Sequence, residues 1–292
     1  MTAMTSLPRS LGGLVAASAL LLATACAPAD EESDTASSGD ASAACSVDSL
    51  PTVEKGTFTI ATDDPAYEPW FSDNDPANGK GFESAVAYAV ADRLGFGKDE
   101  VVWTKVPFNT AYQPGDKAFD VDVNQISITD ERKQAVDFSA PYYEAAQAII
   151  VLEDSEFADA KSLADLADAQ LGAQIGTTSL KAIGQIEGAK QPRVYDDTTK
   201  AAEALRNGQV DGIVADLPSA FYLTAAEIDG SVIAGQFQVE GDATEAFGLL
   251  LEKGSKLTSC VDDAVESLRE DGTLADLEQT WLAESANAPV LK

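Results

Sequence analysis

Val121-Asp122-Val123-Asn124-Gln125-Ile126-Ser127-Ile128-Thr129-Asp130-Glu131-Arg132 is a β-branched, apolar run that passes directly into a helix-capping residue followed by charges. The pattern predicts a strand over Val121–Ile128 and a helix from about Thr129. The same succession extends in both directions. Strands are expected around Phe58–Ile60, Val101–Trp103, Ala148–Leu152, Leu171–Ile175, Gly212–Ala215 and Ala246–Leu251. Helical spacing joins Phe82, Ala85, Val86, Ala89, Val90 and Leu94, with Gly95 as a stop, and a helix is expected after Gly176. Two further stripes run through Val261, Ala264, Val265 and Leu268 and through Leu274, Leu277, Trp281 and Leu282. Strands alternating with helices imply an α/β fold with mainly parallel sheets. In such sheets ligands lie beyond the carboxyl ends of the strands.

Composition narrows the function. The 292 residues carry 19 Lys and Arg against 49 Asp and Glu, a formal net charge of −30. That surface repels nucleic-acid phosphates and anionic lipid headgroups, so no nucleic-acid partner is expected. The absence of His removes Ser-His-Asp and Cys-His pairs and every His-ligated zinc site. The length suits two domains, or two lobes of one.

The first 25 residues read as a leader: Arg9, then an uncharged run of 15 residues from Leu11 to Ala25. Small residues lead straight into Cys26, which resembles the bacterial lipobox, although Ala23 stands where that pattern has Leu. Either Cys26 is lipidated and becomes the mature N-terminus, or a plain secretory leader is cleaved near Ala25; both place the protein outside the cytoplasm. Residues 27–44, nearly all Ala, Ser, Asp and Glu, read as a flexible tether. Cys45 and Cys260 bracket the remaining body, and in an oxidising compartment such a pair is expected to bond, two buried free thiols being the alternative.

Four strand ends carry chemistry. They are Thr62-Asp63-Asp64-Pro65-Ala66-Tyr67-Glu68, Thr129-Asp130-Glu131-Arg132, Gly176-Thr177-Thr178-Ser179 and Asp216-Leu217-Pro218. A guanidinium in the first turn of a helix opposes the helix dipole and invites an anion. The hydroxyls after Gly176 suit an anion too, and Asp216 supplies the opposite sign. Together these features match a zwitterion. Singly each has a bland reading, Arg132 as a surface ion pair and Asp216 as a helix cap.

Gly81-Phe82-Glu83, Ser127-Ile128-Thr129-Asp130-Glu131-Arg132, Val136-Asp137-Phe138-Ser139-Ala140-Pro141-Tyr142-Tyr143, Asp211-Gly212-Ile213-Val214-Ala215-Asp216 and Asp271-Gly272-Thr273-Leu274 occur in an order that resembles the family 3 solute-binding proteins of ABC importers, which take up polar amino acids. The resemblance covers roughly Gly56 to Leu282. It implies a two-lobed, periplasmic-binding-protein-like (type II) fold with a two-strand hinge: lobe 1 from 45–149 and 249–292, lobe 2 from 150–248. It also implies that Arg132, helped by Ser127 and Thr178, holds an α-carboxylate, and that Asp216 holds the α-ammonium. Tyr67 and Phe108 would flank the ligand side chain, Asp63 or Asp64 would reach toward it, and Gln125 and Ile126 would line the same wall. The expected partners are a free amino acid and a membrane permease, with the binding protein itself a monomer.

Two other classes are consistent with the fold: an extracellular amino-acid sensor working with a signalling partner, and a cyclohexadienyl dehydratase-like enzyme using a general acid such as Glu68 or Glu144. Asp73-Asn74-Asp75-Pro76-Ala77-Asn78-Gly79 begins like a calcium loop, but its Gly is one place late and Ser84 stands where Glu is needed. It reads as a polar turn, and neither a metal nor a cofactor is expected.

Overall fold

The computed structural model describes residues 45–239, 244–283 and 288–291. The leader, Cys26 and the tether lie outside the described residues. Two five-stranded sheets make up the body. The first is built from β1 (Phe58–Thr62), β2 (Val101–Lys105), β3 (Val121–Asp122), β4 (Val136–Glu144) and β10 (Ala246–Glu252), in the order β2-β1-β3-β10-β4. The second is built from β5 (Gln147–Leu152), β6 (Leu171–Gln174), β7 (Arg193–Tyr195), β8 (Gly212–Asp216) and β9 (Ser231–Phe237), in the order β7-β6-β8-β5-β9.

Each sheet is half parallel, not mainly parallel as the alternation suggests. β1 pairs in parallel with β2 and β3, and β6 with β7 and β8. The antiparallel members are β10, between β3 and β4, and β5, between β8 and β9. The cause lies in the crossings. The chain passes from the first sheet to the second between Glu144 and Gln147, and returns between Phe237 and Ala246. A strand that enters from the other lobe needs no helical crossover, so it can run against its neighbours.

Helices cover the sheet faces, and one of them, α2 (Phe108–Ala111), is a single turn beside the cleft. Helix α1 (Phe82–Arg93) starts at Gly81, whose φ is +91° and where a Cβ would lie 2.4 Å from the Trp70 carbonyl oxygen, so only glycine fits. It packs with α6 (Thr258–Glu270) and α7 (Thr273–Trp281) on Phe58, Ile60, Phe247 and Leu249, around a fully buried Trp70. Burying each such side chain contributes about 1.5–3 kcal/mol. The expected stripe of α6 is the buried one, with Val261, Ala264, Val265 and Leu268 joined by Cys260. Cys260 is disulfide-bonded to Cys45, with a Cα–Cα distance of 5.5 Å. The bridge fastens the start of the body to the first lobe.

The second lobe has apolar clusters on both faces of its sheet. One centres on Ile149, Leu166, Leu171 and Ile183, the other on Ile150, Leu205, Ile213 and Ala220. Its helices α3 (Thr178–Ile183), α4 (Thr198–Arg206) and α5 (Leu217–Tyr222) each begin just after a strand end or a turn facing the first lobe.

Two further expectations are corrected. Residues 249–292 do not all belong to the first lobe: Leu291 is buried in the second lobe's core, Gln236 N–H donates to Pro289 O at 2.7 Å, and Val290 bridges Gln236. The chain therefore crosses a third time. The expected strand Val121–Ile128 stops after Asp122, because Gln125 adopts a φ of +47° and gives its N–H to Glu83 instead of a neighbouring strand.

Candidate ligand-binding site

Between the two sheets lies a cleft whose walls come from both. The first sheet contributes Asp63, Tyr67, Glu68, Phe108, Asn124 and Gln125, and the second contributes Gln174, Thr177, Thr178, Asp216, Ser219 and Tyr222. The lobes are closed on it. Trp70 Nε1 donates to Ser219 Oγ at 2.7 Å, the Tyr67 and Thr199 hydroxyls are 3.3 Å apart, and Lys181 pairs with Glu131. The remaining space is narrow. The cavity left between the walls measures about 60 Å³.

Asp63 follows β1, and its carboxylate accepts N–H bonds from Asp64 (2.7 Å) and Phe108 (3.1 Å), which fixes it in the cleft wall. Burial pushes this carboxyl above its ordinary value, against the pull of those two donors. Asp64 turns away to Lys105 Nζ at 2.7 Å, and that bond lowers its pKa. Of the two candidate aspartates, Asp63 is the one at the cleft. Tyr67 and Phe108 both line the wall. Ile126 does not: it is fully buried in a cluster with Phe108, Ala111, Val136 and Leu250, since the kink at Gln125 turns it into the core.

Arg132 departs most from expectation. No helix starts at Thr129; a single 3₁₀ turn spans Arg132–Gln134, with the Arg132 N–H donating to Thr129 Oγ1 at 3.2 Å. With only this turn present, there is no helix dipole for Arg132 to oppose. The guanidinium is 7% exposed and lies behind the wall, its carbon 5.4 Å from the Phe108 ring centre and 4.8 Å from that of Tyr112. Nη1 donates to Ser127 O at 2.8 Å and Nη2 to Gly176 O at 3.0 Å, so one fork grips a carbonyl of each lobe. Gly176 must be glycine here: its φ is +75°, and a Cβ would sit 2.2 Å from Tyr112 Oη across the lobe boundary.

Ser127 and Thr178 meet, their hydroxyls 3.1 Å apart, one from each lobe. Thr178 opens α3, capped by Thr177, whose Oγ1 accepts from Leu180 N at 3.1 Å. Asp216 ends β8 at the cleft, and its Oδ1 accepts from Gln147 Nε2 at 2.8 Å. Burial, followed by the charge of Glu245, pushes the Asp216 carboxyl well above the usual range.

Besides lining residues such as Asn124, Gln174, Ser219 and Tyr222, three side chains that tie the cleft walls together carry no clear sequence signature as site residues. Glu245 accepts from Ser127 Oγ at 2.6 Å and from Gln147 Nε2 at 3.0 Å. It also borders a wider cavity of about 850 Å³ on the far side of the Ser127–Thr178 contact. Gln147 is fully buried. Glu83, fully buried, holds Gln125 through its N–H (2.7 Å) and side-chain amide and also accepts from Tyr142 Oη. Burial raises Glu83 to about 7. One signal pointed to it: Glu83 lies on the i, i+3, i+4, i+7 stripe with the buried Val86, Ala87 and Val90, where a carboxylate has no business unless it has partners inside. In the calcium-like loop, Asn74 Oδ1 accepts from Ala66 N and Asp75 Oδ1 from Ala77 N, which is turn chemistry.

Comparison with known proteins adds four findings. Residues 58–284 match the model for bacterial extracellular solute-binding proteins, family 3. The L-cystine-binding protein TcyJ of Escherichia coli (strain K12) is 30% identical over 229 residues, covering 78% of this chain and 83% of its own. Among solved structures, an ancestral arginine-binding protein bound to glutamine is 32% identical with a TM-score of 0.65, over 78% of this chain and 98% of that one. An ancestral amino acid-binding protein described as a precursor of cyclohexadienyl dehydratase is 31% identical with a TM-score of 0.63, over 77% and 95%.

Proposed function

The chain belongs to the bacterial extracellular solute-binding proteins of family 3, and on that premise we propose that it captures a free polar amino acid between its lobes and presents it to the permease of an ABC importer. The observation that supports this most is the composition of the cleft, where Asp216 and Thr178 of one lobe face Asp63, Tyr67, Phe108 and Gln125 of the other. Asp216 takes the ammonium. The carboxylate goes to the Ser127–Thr178 side, where Arg132 keeps N–H donors beyond the two already committed, since a guanidinium has five. Tyr67 and Phe108 sandwich the side chain, and Asp63 favours a neutral polar or cationic one. Contacts from both lobes exist together only in the closed state, so the ligand draws the equilibrium toward closure by its differential affinity. Lobe 1 is assigned to 45–149 and 249 onward, short of the C-terminal residues 288–291, and lobe 2 to 150–248.

The protein acts outside the cytoplasm as a monomer, anchored through a lipidated Cys26, and mass spectrometry of the detergent-extracted N-terminus checks the lipid. A thermal-shift screen of the twenty amino acids and L-cystine tests the central reading. Binding at a hundred times the dissociation constant adds about 2.7 kcal/mol. At about 2–4 °C per kcal/mol that is a shift of roughly 5–10 °C. Arg132→Ala should respond to none of them; a flat response by the wild type to all would refute the reading. The likeness to a dehydratase precursor motivates one control: incubation with prephenate or arogenate should yield no product.

A further inference from the structure

Four side chains form a line from one lobe to the other through the hinge. Ser127 Oγ donates to Glu245 Oε1 at 2.6 Å, and Gln147 Nε2 donates both to Glu245 Oε2 at 3.0 Å and to Asp216 Oδ1 at 2.8 Å. Two carboxyl groups thus lean on one amide, whose buried Oε1 has no protein partner. The other charged groups acting on Asp216 are Glu83, from α1, and Arg132, from the 3₁₀ turn. Arg132 commits two of its five N–H groups to the Ser127 and Gly176 carbonyls. Among the described residues no Lys or Arg forms a direct ion pair with Asp216 or Glu245.

Resting on the solute-capture reading, we propose that Glu245 is a positioning residue for the ammonium end of the ligand: it crowds Asp216 across the shared Gln147 amide, so that Asp216 holds a proton in the free protein and surrenders it when the ammonium arrives. Two carboxylates at one site cannot both ionise cheaply without a countercharge. The ammonium supplies that charge. The O–H bond of the protonated partner then breaks, its electron pair stays on the carboxylate, and the proton passes to a buffer base. The wider cavity beside Glu245 gives the proton a way out that does not cross the ligand cleft. Because the free protein binds more protons than the complex, affinity rises with pH wherever Asp216 titrates. No position of the motifs quoted for the family points to Glu245, which sits just before β10.

The test is calorimetric titration of the full protein with L-arginine, L-glutamine and L-cystine, in two buffers of equal pH and different ionisation enthalpy, repeated from pH 5 to 8. The wild type should release up to one proton per ligand bound and bind more tightly as pH rises. Glu245→Gln should bind about tenfold more weakly, release less than the wild-type proton count and show a shallower pH profile, since burial alone still raises Asp216, while Glu245→Asp should restore the wild-type release. A Glu245→Gln protein that keeps the wild-type release and pH profile overturns the proposal, even if its ligand-free melting point has dropped, because that combination marks a structural role alone. A wild type that binds none of the three removes the solute-capture premise instead, so the two failures are separable.

Discussion

Replacing Gly176 by alanine should impair closure more than folding. Gly176 has a φ of +75°, and an added Cβ would lie 2.2 Å from Tyr112 Oη and 2.9 Å from Asn109 Oδ1, both on the other lobe. The backbone cost of a non-glycine residue in the left-handed region is about 1–2 kcal/mol. It is borne whenever the protein is folded, so the ligand-free melting point should fall by roughly 2–8 °C at 2–4 °C per kcal/mol. The overlap with Tyr112 is borne only when the lobes meet. Tyr112 cannot yield freely, because its ring covers the Arg132 guanidinium at 4.8 Å. Overpacking of this kind costs about 1–3 kcal/mol, a loss of roughly 5- to 150-fold in affinity. Isothermal titration with whichever amino acid gives the largest thermal shift measures it. Tyr112→Phe removes the nearest clashing atom and should recover part of the affinity in the double variant. If Gly176→Ala binds as tightly as the wild type, the lobe boundary does not close as described and the reasoning fails.

Further outcomes follow from other contacts. Glu83 has a folded pKa of about 7 against an ordinary 4.5, so its contribution to stability is fully present below about pH 4.5 and is lost as pH rises to 7. Glu83→Gln should flatten the denaturation midpoint over that window, a difference on the order of 3 kcal/mol across the interval from 4.5 to about 7. An unchanged slope would place the titrating group elsewhere. Ser219→Ala leaves the buried Trp70 indole N–H without its partner in the closed state. It should cost about 1–3 kcal/mol of ligand affinity and leave ligand-free urea denaturation close to wild type. Removing the Cys45–Cys260 bridge with a double Ser variant closes no loop across 215 residues, a loss of up to about 5 kcal/mol in the chain-entropy model. The thermal response to ligand should nonetheless persist, since both cysteines sit in one lobe.

What was legible in the sequence was what local apolar pattern dictates. Ala148–Leu152 and Ala246–Leu251 are strands because an unbroken apolar run must be buried on both faces, and the α6 stripe is a helix face for the same reason. The zone around residues 121–132 was misread for reasons that are not local. Glu83, some forty positions earlier, takes the Gln125 N–H and so ends the strand. The turn at Thr129 stays short because Arg132 is drawn inward by two carbonyls and two aromatic rings contributed by distant segments. Asp63 and Asp64 looked equivalent side by side; Lys105 and the Phe108 N–H separate them. Glu245 gave no signal, as its partners Ser127, Gln147 and Asp216 meet it only once both sheets are assembled.

The return of the C-terminal residues to the second lobe has a mechanical consequence. A door on two hinge straps can swing widely, but here the chain also joins Leu282, buried against the first lobe, to Leu291, sunk in the second. That third covalent connection restrains the stroke of the jaws. Any wider gape must first pull Leu291 from its socket, so the widest opening is a partial unfolding event with its own energy cost, not a free rotation.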